Sequence, residues 1–307
     1  MSDTPIFSTP DRLSRQSEKE LAKLDLSFEF FPPKTDKMEA RFWETLERLA
    51  PLSPRFVSVT YGAGGTTRGR TTKMVSRIEK ESGVKAAAHL TCVGATKEEV
   101  NEVVRGYKDA GVSRIVALRG DPPEGVGQPF QPHPEGYRNA ADLVAGIRTI
   151  GNFDISVACY PEKHPQSPDW YAEFENLKRK IDAGASRAIT QMFFDNELYL
   201  RFVDRARNAG IEAPIVAGIQ PIHNFTQISN FAGRCGATIP KWVAERFEGL
   251  EDDPETHALV AAAVAAEQVT ELVDRGVTEF HFYTMNRSPL VYALARLLGR
   301  RPENSRG

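Results

Sequence analysis

The sequence predicts a single α/β domain with the (βα)8 fold, the closed TIM barrel. Short apolar runs rich in Val, Ile and Phe recur eight times along the chain, and amphipathic helical patterns separate them. Strand and helix alternate without a break in composition, as expected when helices connect the successive strands of a parallel barrel. A chain of 307 residues can form such a barrel as one domain.

The eight predicted strands are short apolar segments bounded by turn signals, a pattern typical of strands buried on both faces. They are LSFEFF (26–31), FVSVTYG (56–62), AAAHLTC (86–92), RIVALRG (114–120), DISVACYP (154–161), RAITQMFF (187–194), PIVAGIQP (214–221) and EFHFYTM (279–285). Pro32 and Pro33 end the first strand, because proline cannot donate to a sheet ladder.

The first strand carries a carboxylate. Side chains alternate across a strand, so Leu26, Phe28 and Phe30 share one face. Ser27 and Glu29 share the other, less apolar face. Burying an unpaired carboxylate is costly, so Glu29 is expected to be paired, hydrogen-bonded or protonated.

Helical patterns fill the connections between strands. KMEARFWETLERLAPL has one apolar stripe, and KEEVNEVVRGYKDAG and WYAEFENLKRKIDAG end at the stop signals Gly111 and Gly184. The last connection is longer and is predicted to hold two helices. Asp253 caps the second of these, with Pro254 at its first position.

A doubly wound open sheet is the alternative fold. No G-x-G-x-x-G motif follows the first strand, which disfavours a dinucleotide-binding unit of that type. The stretch GAGG at 62–65 lacks the Lys-Ser/Thr pair of a phosphate-binding P-loop. We therefore interpret it as a flexible loop after the second strand.

Composition excludes several classes of partner. Hydrophobic residues make up 41 % and charged residues 26 %, and the net charge of −2 predicts no attraction to nucleic acid or anionic membrane. The three cysteines are widely spaced, which favours a reducing, cytoplasmic location and predicts no metal site. We expect a polar N-terminal arm over 1–24, the catalytic barrel over 25–300 and a tail over 301–307.

In a (βα)8 barrel the functional side chains collect at the C-terminal ends of the strands. These ends are rich in hydrogen-bonding and ionisable groups: Glu29, Thr60, Tyr61, His89, Arg119, Asp121, Tyr160, His164, Gln191, Gln220, Asn286 and Arg287. The opposite strand ends supply Arg114, Asp154, Arg187 and Glu279. We expect the latter group to form a solvated rim.

The residues alone leave two interpretations of this set open. Glu29 and Asp121 are either an acid and a charged carboxylate with different environments, or structural partners of arginines such as Arg119. His89 in an apolar strand is more typical of a core residue than of a catalyst. The basic turn in ENLKRK is either a solvated helix face or a site that grips a diphosphate.

Seven blocks, in order, carry a resemblance to a known family. They are SFEFFPPKT, FVSVTYGAGG, HLTC, IVALRGD, ISVACYPEKHP, NLKRKIDAGASRAITQMFFD and FHFYTMNR. Over about Leu26 to Gly299 the chain resembles the bacterial-type methylenetetrahydrofolate reductases, and we expect the catalytic domain alone.

The resemblance implies a barrel that binds FAD non-covalently. Such enzymes reduce 5,10-methylenetetrahydrofolate to 5-methyltetrahydrofolate with NADH or NADPH, and they form dimers or tetramers. By resemblance, Glu29 is the general acid that opens the folate's five-membered ring, and its apolar surroundings are expected to raise its pKa. Asp121 corresponds to the aspartate near the flavin that binds the pterin.

The resemblance also implies the binding residues. For FAD they are Thr60, Tyr61, Ala63, His89, Arg119, Gly120, Asp121, Tyr160, His164, Glu173, Asn176, Arg179 and Lys180, with Tyr137 or Asn139 as a further contact. For the folate or the donor they are Asp121, Gln191, Gln227, Phe231 and Arg287. The alternatives are another FAD barrel of the proline dehydrogenase type and a barrel that binds folate or flavin without catalysis.

Overall fold

A computed structural model describes residues 24–61, 68–122 and 130–302 of the chain. The strands are β1 (Asp25–Phe30), β2 (Phe56–Val59), β3 (Ala86–Thr91), β4 (Arg114–Leu118), β5 (Asp154–Cys159), β6 (Arg187–Thr190), β7 (Ile215–Ile219) and β8 (Glu279–Tyr283). They pair in parallel in sequence order, and β8 closes on β1. The predicted (βα)8 barrel is confirmed, although each strand ends slightly earlier than predicted.

The described helices surround the barrel. They are α1 (Asp36–Leu49), α2 (Arg68–Ser82), α3 (Lys97–Asp109), α4 (Ala140–Ile150), α5 (Trp170–Asp182), α6 (Asn196–Asn208), α7 (Phe225–Cys235), α8 (Lys241–Phe247), α9 (Pro254–Asp274) and α10 (Pro289–Leu297). The last connection therefore holds three helices, where the sequence predicted two. The predicted cap is confirmed, because the Asp253 carboxylate accepts from the Thr256 N–H at 3.0 Å. The short helix α8 was missed.

The two faces of β1 follow the predicted alternation. On the outer face the Phe30 ring packs 5.0 Å from the ring of Phe42 in α1. On the inner face Ser27 Oγ lies 2.7 Å from His281 Nδ1 of β8. Glu29 lies on the same inner face, so the carboxylate of the first strand faces the interior of the barrel.

A charged cluster occupies the N-terminal end of the barrel. Arg187 is only 5 % exposed, and its Nη1 lies 2.9 Å from Asp154 Oδ1. Arg114 pairs with the same carboxylate. Both guanidinium groups approach the ring of Phe56, at 5.7 and 5.9 Å from its centroid. The expected solvated rim is wrong for Arg187, because pairing and packing against an aromatic ring allow the charge to be buried.

The chain ends and one loop fall largely outside the described residues. Of the predicted arm over 1–24 only Leu24 is described, and it is buried. Of the predicted tail only residues 301 and 302 are described, and the GAGG stretch is not described. Within the described parts of the chain, no helix is long and apolar enough to cross a membrane.

We predict that Asp154→Asn lowers the free energy of unfolding at neutral pH by about 3 kcal/mol, because two partly buried arginines lose their shared carboxylate. Burial acts to raise the pKa of Asp154, but the hydrogen bond and charge of Arg187 hold it below its ordinary value. The pair therefore stabilises the fold above about pH 4 and loses this effect as the pH falls through the lower folded-state pKa.

Urea denaturation at several pH values measures this effect. The matched control is Asp25→Asn, whose more exposed pair with Arg55 at 2.9 Å should contribute no more than about 1 kcal/mol. Equal losses in the two variants, or an unchanged acid dependence in Asp154→Asn, would contradict the assignment.

Candidate active site

The C-terminal ends of the strands surround a cavity of about 560 Å³. Among the predicted residues, those that line it are Glu29, Thr60, Tyr61, His89, Arg119, Gly120, Asp121, Tyr160, His164, Asn176, Lys180, Gln191 and Phe231. Asn139 lines it as well, whereas the Tyr137 hydroxyl donates to Asn101 away from it. The chain therefore brings together side chains from distant strand ends.

Some predicted residues are placed elsewhere. Glu173, Arg179, Gln227 and Arg287 are described but do not line the cavity. Gln227 and Arg287 are exposed. Ala63 lies outside the described residues. Direct roles for these five residues remain predictions from the resemblance.

Glu29 lies between two histidines inside the barrel. Its Oε2 is 3.4 Å from His89 Nε2 of β3 and 3.5 Å from His281 Nε2 of β8. Behind His281, Ser27 Oγ lies 2.7 Å from the ring Nδ1 and donates to the Phe280 carbonyl at 3.2 Å. The carboxylate therefore has two imidazole nitrogens as close neighbours, although neither Nε2 atom makes a hydrogen bond within the described residues.

The environment of Glu29 lowers its pKa. Burial acts to raise it, but the charge of His89 and the hydrogen bond and charge of His281 outweigh burial. The expected raised pKa is therefore wrong for this structure. Burial lowers the pKa of His89 to about 4, despite the opposing effect of Glu29. His89 is therefore neutral at neutral pH, and its charge acts on Glu29 only in the acidic range where both groups titrate.

His281 and Ser27 were missed as candidate residues. The signal was present, because alternation in EFHFY places His281 on the face opposite Phe280 and Phe282. The same rule put Ser27 beside Glu29. The sequence did not give the register between β8 and β1, and this register sets Ser27 opposite His281.

The loop between β5 and α5 forms one wall of the cavity. The rings of Tyr160 and His164 meet edge to face at 4.6 Å, and Arg119 Nη1 donates to Gln166 Oε1 at 2.7 Å. Burial, followed by the charges of Arg119 and Lys180, lowers the pKa of His164 to about 4. His164 therefore offers a neutral imidazole to a ligand at neutral pH.

Glu173 braces this loop without lining the cavity. Its carboxylate is buried and accepts from the His164 N–H at 3.2 Å and from the Ser167 hydroxyl at 2.5 Å. His164 and Ser167 both line the cavity. The structure therefore supports an indirect role for Glu173, in which it fixes the backbone of the wall.

The basic turn of α5 has two faces. Lys180 is 4 % exposed, and its Nζ donates to the Ala158 carbonyl at 2.7 Å. Burial lowers the pKa of Lys180. Asn176, one turn earlier, also lines the cavity, but Arg179 is exposed to solvent. Arg179 lies outside the cavity although its neighbour Lys180 lines it, because adjacent helical residues lie about 100° apart.

Amide and aromatic groups form the wall near β6, β7 and β8. Gln191 Oε1 accepts from the Met192 N–H at 2.9 Å, and the buried Gln220 Nε2 donates to a backbone carbonyl at 3.1 Å. Tyr283 OH donates to the Thr190 carbonyl at 2.6 Å. Phe231 of α7 adds an aromatic ring. Such a wall suits a flat heterocycle with hydrogen-bonding edges.

The described residues contain no group of three or more His, Cys, Asp or Glu side chains arranged to hold a metal ion. The polar groups of the cavity are instead arranged for an organic ligand. The Thr91 hydroxyl lines the cavity and has no hydrogen-bond partner among the described residues. A buried polar atom of this kind is expected to bind a ligand or water.

We predict that His281→Phe raises the pKa of Glu29. The substitution keeps an aromatic ring but removes one hydrogen bond and one charge, and burial then has more weight. Infrared difference spectroscopy of the carboxyl group across pH, with Glu29→Gln as the blank, measures the change.

The matched control is His257→Phe, which alters a histidine packed against Phe247 and should leave the Glu29 titration unchanged. A Glu29 pKa that stays the same or falls in His281→Phe would show that His281 does not stabilise the carboxylate.

The comparisons with known proteins agree with this site. The family model described as methylenetetrahydrofolate reductase matches residues 13–299. The 5,10-methylenetetrahydrofolate reductase of Escherichia coli K12 is 48 % identical over 295 residues, covering 96 % of this chain and 97 % of that protein. The Salmonella typhimurium enzyme of the same name is 49 % identical over 280 residues, covering 91 % of this chain and 92 % of that protein.

A solved structure is similar in fold. It is a Clostridium thermocellum protein that binds two copies of 5-methyl-5,6,7,8-tetrahydrofolic acid, with a TM-score of 0.60 at 16 % identity. The alignment covers 92 % of this chain and 96 % of that one. The fold likeness and the full-length sequence identities are consistent, and this chain belongs to the methylenetetrahydrofolate reductase family.

Proposed function

We propose that this protein reduces 5,10-methylenetetrahydrofolate to 5-methyltetrahydrofolate, with NADH or NADPH as hydride donor and bound FAD as carrier. The observation that carries the proposal is Glu29, an inward-facing carboxylate held between two histidines at the cavity. Full-length identity to enzymes of that name supports the same reaction. We further propose a cytoplasmic homo-oligomer, a dimer or a tetramer, as the resemblance implies.

The cavity residues fit an FAD. Arg119 and Lys180 supply positive charge for a diphosphate, and His164 and Asn176 supply neutral hydrogen-bonding groups. The unpartnered Thr91 hydroxyl is a further hydrogen-bonding group for a ligand. When bound, the flavin supplies hydride transfer from the nicotinamide donor to the folate.

Glu29 supplies the proton for the folate. Opening of the five-membered ring requires protonation of the nitrogen that leaves the methylene carbon, which then becomes an electrophilic iminium. A carboxyl group directed into the cavity is suited to this role as a general acid. A folate that covers Glu29 excludes water and favours the uncharged carboxyl form, which offsets the effect of the histidines on the pKa.

The proton is held by a chain of side chains behind the cavity. Because Ser27 Oγ donates to the Phe280 carbonyl, it accepts from His281 Nδ1–H at 2.7 Å. This tautomer leaves the Nε2 lone pair 3.5 Å from Glu29 Oε2. A proton on Glu29 leaves both the acid and the His281 imidazole neutral, whereas a proton on Nε2 gives an ion pair. The neutral form is the one that can donate to the folate.

Asp121 and the amide wall orient the folate. The Asp121 carboxylate, at the cavity edge, can accept from the two N–H groups of an aminopyrimidine edge. Gln191 offers a donor and an acceptor, and Phe231 offers a face for stacking. A negative charge at Asp121 also disfavours a reduced, anionic ring nearby, which favours giving the hydride away.

We predict that Glu29→Gln still binds FAD and is still reduced by NAD(P)H, because the acid serves only the folate half of the reaction. Reduction of methylenetetrahydrofolate should fall by at least ~10²-fold, the usual effect of losing a general acid. Stopped-flow measurement of the two half-reactions separates these effects. Near wild-type folate reduction would mean that Glu29 is structural, and failure of the unmodified protein to reduce the folate would favour a non-catalytic binder.

We also predict that Lys180→Met weakens FAD binding ~10- to 100-fold, because a charge-assisted hydrogen bond is worth about 1.5–3 kcal/mol. The matched control is Lys178→Met, which removes a neighbouring charge that pairs with Asp182 at 2.9 Å outside the cavity and should retain its flavin. The absorbance ratio of flavin to protein after gel filtration, followed by titration with FAD, measures both. Full occupancy in Lys180→Met, or equal loss in both variants, would refute the assignment.

A further inference from the structure

The turn after β8 has an unusual backbone. Met285 and Asn286 both have φ angles of +53°, in the left-handed region that residues other than glycine seldom adopt. Two such residues in succession are unfavourable unless their surroundings hold them.

The side chain of Asn286 satisfies both backbone groups of Phe31. Asn286 Oδ1 accepts from the Phe31 N–H at 2.9 Å, and Asn286 Nδ2 donates to the Phe31 carbonyl at 2.9 Å. The pairing of β1 with β8, here called the seam, ends at Glu29 and Tyr283. The two hydrogen bonds from Asn286 to Phe31, here called the clamp, therefore join the two chain segments beyond the last paired residues. Asn286 is buried, and its own carbonyl accepts from the Thr45 hydroxyl at 3.1 Å.

The same turn holds the backbone of the proposed acid. The Thr284 hydroxyl and N–H donate to the Glu29 carbonyl at 2.6 and 3.1 Å. The Asn286 N–H donates in turn to the Thr284 hydroxyl at 3.0 Å. One connected set of hydrogen bonds therefore links the strand end that carries Glu29 to the left-handed turn.

The clamp also fixes two apolar side chains at the cavity. Phe31 and Met285 both line it, and they are 38 % and 37 % exposed, although both are large and apolar. Each is fixed through its backbone, Phe31 by the Asn286 amide and Met285 by its position in the turn. Phe31 lies two residues after Glu29, and Met285 lies two residues after Tyr283, which pairs with Glu29 across the seam. We call these two side chains the apolar lip.

We infer that Asn286 is a positioning residue for the folate. It holds Phe31 and Met285 against the apolar faces of the substrate's ring system while Glu29 faces its reactive nitrogen. This inference rests on the proposed function and deepens it, because it names the element that fixes the acid and the lip relative to each other. The left-handed backbone is the conformation that brings the Asn286 amide to Phe31.

Two substitutions test the inference. Asn286→Gly suits the left-handed backbone but removes both side-chain hydrogen bonds. Asn286→Asp keeps an acceptor for the Phe31 N–H but sets a carboxylate oxygen against the Phe31 carbonyl. The control is Ser53→Gly, which alters another left-handed residue, with φ +51°, after α1.

The measurement is the Kd of 5-methyltetrahydrofolate for the flavin-loaded protein by calorimetry, alongside Tm and flavin occupancy. We expect the Kd to rise about tenfold in both Asn286 variants, because hydrogen bonding worth roughly 1–1.5 kcal/mol is lost. Flavin occupancy should be unchanged, and Ser53→Gly should bind as the unmodified protein does. A Kd within about twofold of the unmodified protein in both variants, with only a lower Tm, would show a purely structural role.

A second measurement keeps the inference testable if the Asn286 variants fail to fold. Phe31→Ala with Met285→Ala removes the lip and leaves the clamp, and the same loss of folate affinity is expected. An unchanged Kd in this double variant would overturn the inference. Failure of the proposed function is distinguishable, because the unmodified protein would then bind no 5-methyltetrahydrofolate or reduce no methylenetetrahydrofolate.

Discussion

The pairing of β8 with β1 is the constraint on which the site depends. It closes the barrel, and it brings Ser27 and His281 together although they are 254 positions apart in the chain. The same seam puts His281 beside Glu29 and lets the turn after β8 hold the backbone of the acid. The last strand therefore completes both the core of the fold and the surroundings of the Glu29 carboxylate.

The barrel separates two sets of buried charges with an apolar layer. Asp154 and Arg187 lie at the N-terminal end of the strands, and Glu29 lies near the cavity at the other end. The interior between them is filled by a cluster that consists of Phe56, Ala87, Val116, Ile189 and Val216. Few polar groups in such an apolar layer can reorient or exchange with water. The ionisation of each charged group therefore depends mainly on its immediate partners.

Local pattern predicted the fold and most of the cavity, because strand ends in a (βα)8 barrel converge whatever the detail of the loops. It predicted Glu29, His89 and Gln191 in this way, whereas the binding role of Lys180 came from the family resemblance. The local pattern failed for side-chain positions that depend on the register between strands or on the rotation of a helix. The partner His281 required the β1–β8 register, and the separation of Arg179 from Lys180 required the phase of α5.

The pKa of Glu29 shows a third limit of the sequence. Desolvation can be guessed from apolar neighbours along the strand, but the histidines that oppose it come from other strands. The direction of the shift is a balance of two large opposing effects, so omission of one partner reverses the sign. A fold prediction alone, without the register of every strand, therefore cannot give the protonation state of a buried group.

The charges around the cavity favour one orientation for an elongated ligand. His89 and His164 each have a pKa of about 4 and are neutral at neutral pH. Lys180 and Arg119 supply positive charge on the side of the β5–α5 loop, and Arg138 and Arg234 also line the cavity. The negative charge of Glu29 lies on the β1 side. An elongated ligand that carries an anionic group is therefore favoured with that group towards the loop and away from Glu29.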